Sequence, residues 1–392
     1  MRHAWLWVAL ATMFASGCLV EERKYDSKLA AAYVKGNSKP SKDADAEAGP
    51  ASGDSKECLA YCDHVMKNCS DEYAVYASEE TCLGICKLLP LTAKSTESQN
   101  TVACRNEQAL LAGQTGEPDV HCPAAGPGGS TPAGRDGCGN NCESYCKLQP
   151  AICGGTDELT FAQEECEQRC AALPDHHAFD VKKDHDANNV QCRLVHLSSA
   201  SIGDLAASEH CWHASLTPRE QSPCGIPPAA IPNCQEYCDV VTRSCTGDSA
   251  VYDNEQQCLD TCELFEKGTG ADRKENTLGC RVYHAYASLE SAQTHCPHAG
   301  PAGDGHCGAD NCVTYCSLAK AACEDAYNEA FADDDTCRST CAGWEGAGKD
   351  SGYTALTAAS GKTVQCRIYH ASLAASDKEA CDAVFGAAPC NK

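Results

Sequence analysis

The sequence predicts an all-α protein: four tandem disulfide-stapled helical-hairpin repeats, arranged A-B-A′-B′, behind a signal peptide and a disordered tether. Three observations predict it. Cysteine makes up 33 of the 392 residues, a density that belongs to oxidised, cross-linked scaffolds. Thirty-two of those cysteines fall into four sets of eight. Every set opens C-x3-C-x6-C and continues, after twelve or thirteen residues, with a second C-x3-C, a spacing that keeps the sulfurs on one helical face.

Composition narrows the class further. Leu, Ile, Val and Phe together number 54, about 14% of the chain, below the ~20% at which a large apolar core becomes hard to build. With a formal charge of −24, such a chain would read as disordered if it had no cross-links. A cytosolic enzyme built around one apolar core does not fit, because a reducing compartment would leave the thiols unpaired. The acidic balance also argues against DNA, RNA and anionic headgroups, so no nucleic-acid partner is expected.

At the N-terminus, Met1 to His3 and the apolar run Ala4 to Ala15 form a short n-region and h-region, too short for a permanent membrane span. The run ends in Ala15-Ser16-Gly17-Cys18, which resembles the lipobox of bacterial lipoproteins, with Ala15 where Leu is commoner. The resemblance implies cleavage after Gly17 and acylation of Cys18. Leu19 in place of Asp implies sorting to the outer membrane. Ordinary signal cleavage at the same small residues is the alternative. Cysteine arithmetic favours the lipoprotein, since Cys18 is the one cysteine outside the four sets of eight. The expected segments are 1–17 signal peptide, 18–57 anchor and linker, then repeats at 58–138, 139–224, 225–307 and 308–392. The linker is polar and free of cysteine, and its span as a coil is on the order of 35 Å.

Repeats one and three share Ala-Val-Tyr at Ala74-Val75-Tyr76 and Ala250-Val251-Tyr252, and repeats two and four share Val-Gln-Cys-Arg at Val190 and Val364. A duplicated pair is the reading, with Pro227 to Pro232 as the join. Within the first set, antiparallel helices should have a constant index sum, which pairs Cys58 with Cys86 and Cys62 with Cys82. Cys69 would then reach Cys104, and Cys122 would close on Cys138. The competing register joins Cys62 to Cys86 and Cys69 to Cys82. Thr160 with Gln163, and Asp253 with Gln256, fit capping boxes, and Asp333 heads another helix. Tyr61, Tyr145, Tyr237 and Tyr315 precede the second cysteine of each set and are read as packing rings with surface hydroxyls. Arg105, Arg193, Arg281 and Arg367 follow the sixth cysteine and are expected to pair with helix carboxylates.

Candidate chemistry rests on histidine. His196, His284 and His370 stand four residues after the sixth cysteine, while His210, His213, His295 and His298 flank the seventh. Such a set suggests zinc or copper ligands. Structural histidines near helix ends are the preferred reading, because an even cysteine count leaves no thiolate and two repeats lack part of the set. No Cys-x-x-Cys-His, Gly-x-Ser-x-Gly or His-Glu-x-x-His motif occurs.

Cys280-Arg281-Val282-Tyr283-His284 and His295 to Pro301 resemble the repeats of bacterial lipoproteins and secreted proteins of the Cys-Arg-x-Tyr-His and His-Cys-Pro-His-Ala-Gly-Pro type, over residues 58–392. The resemblance implies no activity. The expectation is a non-catalytic, surface-anchored binding, adhesion or structural module without a cofactor. Its partners would be the bilayer, through Cys18, and a protein or glycan ligand. A metal-binding or redox protein of the envelope is the alternative.

Overall fold

Polar caps start the principal helices and place the cysteines on them. Ser55, Asn140, Asn233 and Asp310 each accept a backbone N–H three residues ahead and open the first helix of each set. Thr101, Asn189, Thr277 and Thr363 do the same for the N–H of Cys104, Cys192, Cys280 and Cys366. The sixth cysteine of every set therefore sits in the first turn of its helix.

The computed structural model describes residues 55–92, 99–132, 137–154, 162–217 and 222–391, all within one unit spanning Ala48–Lys392. Cys18, the leader, most of the linker and Thr160 lie outside the described residues. The first set carries α1 (Lys56–Asn68), α2 (Glu79–Cys86), α3 (Val102–Thr115) and α4 (Pro118–Ala125). The second carries α5 (Asn141–Cys153), α6 (Gln163–Cys170), α7 (Val190–Ala200) and α8 (Asp204–His210). The third carries α9 (Cys234–Ser244), α10 (Glu255–Cys262), α11 (Leu278–Ala287) and α12 (Ala292–Ala299). The fourth carries α13 (Asn311–Ala322), α14 (Glu324–Ala330), α15 (Asp334–Cys341), α16 (Ala355–Ala358), α17 (Val364–Leu373) and α18 (Cys381–Val384). The fold is all-α. Among the described residues the only β pairing is two isolated bridges, Glu266 with Thr277 and Glu345 with Thr363. Two caps differ from expectation. Asn254, not Asp253, caps α10 and accepts from Gln257 N–H, and α6 has Ala162 at its N-cap position, with no side-chain cap. Asp333 caps α15 as expected.

Sixteen disulfides join all 32 cysteines of the four sets, with one scheme throughout. Cys58 pairs with Cys86 and Cys62 with Cys82, which is the antiparallel ladder between α1 and α2. The other half of the expected scheme is corrected: Cys69 pairs with Cys122, and Cys104 with Cys138. The reason lies in helix direction. His64 Nδ1 is 2.8 Å from Asn106 Oδ1, and Asn68 Nδ2 donates to the Ala109 carbonyl at 3.0 Å. Contacts that rise together in both helices mean that α1 and α3 run parallel. Cys104 thus lies level with the middle of α1, about seven residues or ~10 Å short of Cys69. A disulfide needs Cα atoms within about 7 Å. A constant index sum describes the antiparallel α1 and α2 but not the parallel α1 and α3.

Tyr and Arg hold the chain where it leaves the fourth helix. Tyr61 donates its hydroxyl to the Ala125 carbonyl at 2.5 Å, while Arg105 donates Nε to Gly126 at 3.0 Å and Nη2 to Pro127 at 3.1 Å. Three successive carbonyls are taken. Tyr145 with Arg193 repeats this at Ala214, Ser215 and Leu216, and Tyr237 with Arg281 at Ala299, Gly300 and Pro301. In the fourth set Tyr315 and Arg367 both reach the Val384 carbonyl. Two expectations are corrected here. The four tyrosines are fully buried, hydroxyl included. The four arginines serve backbone carbonyls, and among the described residues none of them forms an ion pair. Arg281 and Arg367 also stack on Phe265 and Trp344, each 4.1 Å from the ring centroid.

Neighbouring sets pack alike within each pair. Helix α2 lies on α7, and α10 on α17. Val181 N–H donates to the Ala74 carbonyl and Ala355 N–H to the Ala250 carbonyl, at 3.0 and 2.8 Å. Between the second and third sets, Arg169 Nη1 donates to the Leu289 carbonyl.

Two outcomes are expected. Alkylation of the denatured, unreduced protein labels none of the 32 repeat cysteines, and peptide mapping recovers Cys69 linked to Cys122; recovery of Cys69 with Cys104 would contradict this topology. Arg281→Met, which removes a donor from the Gly300 carbonyl (still held by the Gly303 N–H) and leaves the Pro301 carbonyl buried without one, lowers unfolding free energy by about 1–3 kcal/mol in denaturant titration with disulfides intact.

Candidate functional site

The caps and disulfides that set the helices also gather histidines. Helix α7 presents His196, and α8 with the turn after it presents His210 and His213. Cys211, between those two, is fastened to Cys153. The Nδ1 atoms of His196 and His210 lie 3.0 Å apart, and those of His196 and His213 lie 3.1 Å apart. The rings are close, with centroids 5.3 Å apart for His196 and His210 and 4.5 Å for His196 and His213. His196 Nε2 is 3.2 Å from the His185 carbonyl. A carbonyl only accepts, so Nε2 carries the hydrogen and Nδ1 of the neutral ring faces its neighbours.

The third set repeats the arrangement. His284 on α11 meets His295 and His298 on α12, with 3.1 Å between the Nδ1 atoms of His284 and His295. His298 is buried, and its Nδ1 has no hydrogen-bond partner. In both triads one ligand-type nitrogen from each ring falls within 4.8 Å of the others. The sulfurs nearest His196 and His284 belong to the Cys192–Cys224 and Cys280–Cys307 disulfides, so they carry no thiolate charge to offer. Of the seven histidines singled out from sequence, six are brought together. His370 stands apart, its Nε2 against the Ala359 carbonyl at 3.2 Å and its cluster completed by the Cys366–Cys390 disulfide. His306, not among those seven, stacks on His298 at 3.6 Å between centroids and bonds Asp350 at 2.9 Å. Its only signal was its place beside the last cysteine of the set.

Burial sets the electrostatics of both triads. It pulls the imidazole of His196 down to about 4, His284 to about 3 and His298 to about 4, and the neighbouring imidazoles add to the effect. His213 and His295 are lowered for the same first reason. These rings are neutral near pH 7, with lone pairs available. His210, His213 and His295 are half-buried, so solvent reaches one side of each triad. Apart from the triads, an open cleft of about 660 Å³ lies where the third and fourth sets meet, with Glu266, Glu275, Lys320, Asp334 and Arg338 on its walls.

Fold and site together define a disulfide-stapled, all-helical, cysteine-rich protein. Residues 27–141 and 232–311 match the model of the BfoA family C-terminal domain. Those segments contain the first and third cysteine sets. The chain is 35% identical over 71 residues to the Aurasperone B biosynthesis cluster protein A of Aspergillus niger, covering 18% of this chain and 23% of that protein. It is 34% identical over 71 residues to the Bifonsecin B biosynthesis cluster protein A of Aspergillus brasiliensis, covering 18% and 24%. It is 30% identical over 83 residues to a protein of Acanthamoeba polyphaga mimivirus named for an EGF-like domain, covering 20% and 16%. The chain thus spans less than a quarter of the length of these relatives. No solved structure matches it.

The depressed values carry a pH signature. Between about 6.5 and about 4 the unfolded chain binds protons at His196 that the folded chain refuses. Stability of chelator-treated protein should therefore be fully present above that window and fall as pH drops through it. In ¹⁵N spectra at about pH 5.5, where an unperturbed imidazole is mostly charged, His196 and His284 should still read as neutral. Full protonation of both at that pH would contradict the assignment.

Proposed function

We propose that the chain is an exported, non-catalytic module held on a bacterial outer membrane through acylated Cys18, where it presents a rigid, acidic surface for binding, adhesion or envelope structure. The observation that carries the reading is the cysteine ledger. Sixteen disulfides take up every cysteine of the four sets, and Cys18 alone is left of the 33. Disulfides at this density are the mark of an oxidising compartment. The odd cysteine follows small residues at the end of an apolar run, where a lipoprotein is acylated. No described helix is long and apolar enough to cross a membrane, so attachment in this reading rests on lipid. Stapled helices also give a surface that loses little conformational freedom when it binds, which favours recognition by pre-organisation.

The relatives support a module that recurs in otherwise different proteins, since the matched stretches of 71 and 83 residues are about the length of one cysteine set. Adhesion to a protein or glycan would use the inter-set cleft and the exposed acidic faces. Cys18→Ala should move the protein from the detergent phase to the aqueous phase and leave its disulfide count unchanged. Unaltered partitioning would remove the lipid anchor from this reading.

A further inference from the structure

The four sets contain an internal comparison. Three positions build each histidine site: four residues after the sixth cysteine, one before the seventh and two after it. They hold Gln108, His121 and Ala124 in the first set, and His196, His210 and His213 in the second. They hold His284, His295 and His298 in the third, and His370, Ala380 and Ala383 in the fourth. In the first set the result is an ordinary hydrogen bond, His121 Nδ1 to Gln108 Oε1 at 2.8 Å. The fold therefore accepts this region without histidine clustering.

The two triads are not ordinary hydrogen-bonded pairs. With its hydrogen on Nε2, facing the His185 carbonyl, His196 has one in-plane lone pair on Nδ1. One lone pair serves one donor, yet two further Nδ1 atoms stand 3.0 and 3.1 Å from it. In the third set the Arg273 backbone acts as an acceptor toward the His284 ring. There the buried Nδ1 of His298 has no partner at all, although its residue is only 7% exposed. Nitrogens bound at 2.0–2.1 Å to one tetrahedral centre lie about 3.3 Å from each other. Small ring tilts carry the 3.0 and 3.1 Å spacings at His196 and the 3.1 Å spacing between His284 and His295 to that value, and the third nitrogen of each set lies within 4.8 Å of the other two. The carbonyl of His185 behind His196 fixes ring orientation, as backing groups do behind metal-ligating histidines.

We propose that each triad, His196 with His210 and His213, and His284 with His295 and His298, binds one divalent transition-metal cation of zinc or copper type through Nδ1 atoms. Three neutral nitrogen ligands suit such borderline cations better than calcium or magnesium, which take oxygen. The fourth position is open to solvent on the half-buried side. The site does not depend on membrane attachment and goes beyond the anchoring reading.

The test uses the full chain, stripped with chelator, dialysed, and loaded with Zn²⁺ alone or Cu²⁺ alone. Metal per chain is measured by elemental analysis after gel filtration, and Co²⁺ absorption reports the ligand field. The expected result is one ion per triad, two in all. His210→Ala and His295→Ala, each copying Ala380 of the fourth set, should each remove one ion and halve the Co²⁺ signal, and the double variant should bind none. His370→Gln, copying Gln108, should leave both ions bound. Since the substitutions reproduce residues that the same scaffold carries elsewhere, folding is checked by helical circular dichroism and by the absence of free thiols. No stoichiometric ion in the folded wild-type chain would overturn the proposal and leave a neutral imidazole cluster. Ions retained by the folded double variant, or lost equally from His370→Gln, would also overturn it.

Discussion

Shortage of large apolar side chains is the constraint from which the rest of this structure follows. Cystine takes the place that leucine and isoleucine hold elsewhere: of the 32 cysteines in the four sets, all but Cys104 and Cys381 are buried. A disulfide packs as a small apolar group and also restricts the unfolded chain, at about 2–4 kcal/mol each. That combination lets short helices, which would be marginal alone, hold fixed positions.

A core of this kind leaves backbone in places that long aliphatic chains would otherwise fill. The tyrosine and arginine of each set answer that problem together. A guanidinium buried away from water is costly unless its hydrogens find partners, and in the first three sets Nε and Nη2 find adjacent carbonyls in the segment after the fourth helix. The same segment carries the chain toward the last cysteine. The recurrence of Cys-Arg in all four sets is thus a statement about loop backbone rather than about anion binding.

What could be read from sequence was whatever obeys a period. The i and i+4 cysteines announced α1 and α2 and their ladder, and the fold class followed. The partners of Cys69 and Cys104 were not legible, because they depend on α1 and α3 running parallel, which no spacing records. The arginines were visible as a recurring position, yet their partners are carbonyls, and carbonyls have no signature in a sequence. The histidines were visible too. What spacing could not show is that Nδ1 of three rings would converge, since that needs α7 and α8 placed side by side. A cap such as Asn254 was missed by one residue, because Asp253 and Asn254 are both good caps and only the backbone decides between them.

No disulfide leaves its own cysteine set. Oxidation is therefore a local and sequential problem. A chain that becomes available from its N-terminus onward can finish one set before the next, choosing among 105 pairings for eight thiols rather than among the vastly larger number open to 32. A new copy of the segment inserted into the gene would bring its whole bonding pattern with it and demand no partner from its neighbours. Two pairs in a row are what such a history would leave behind.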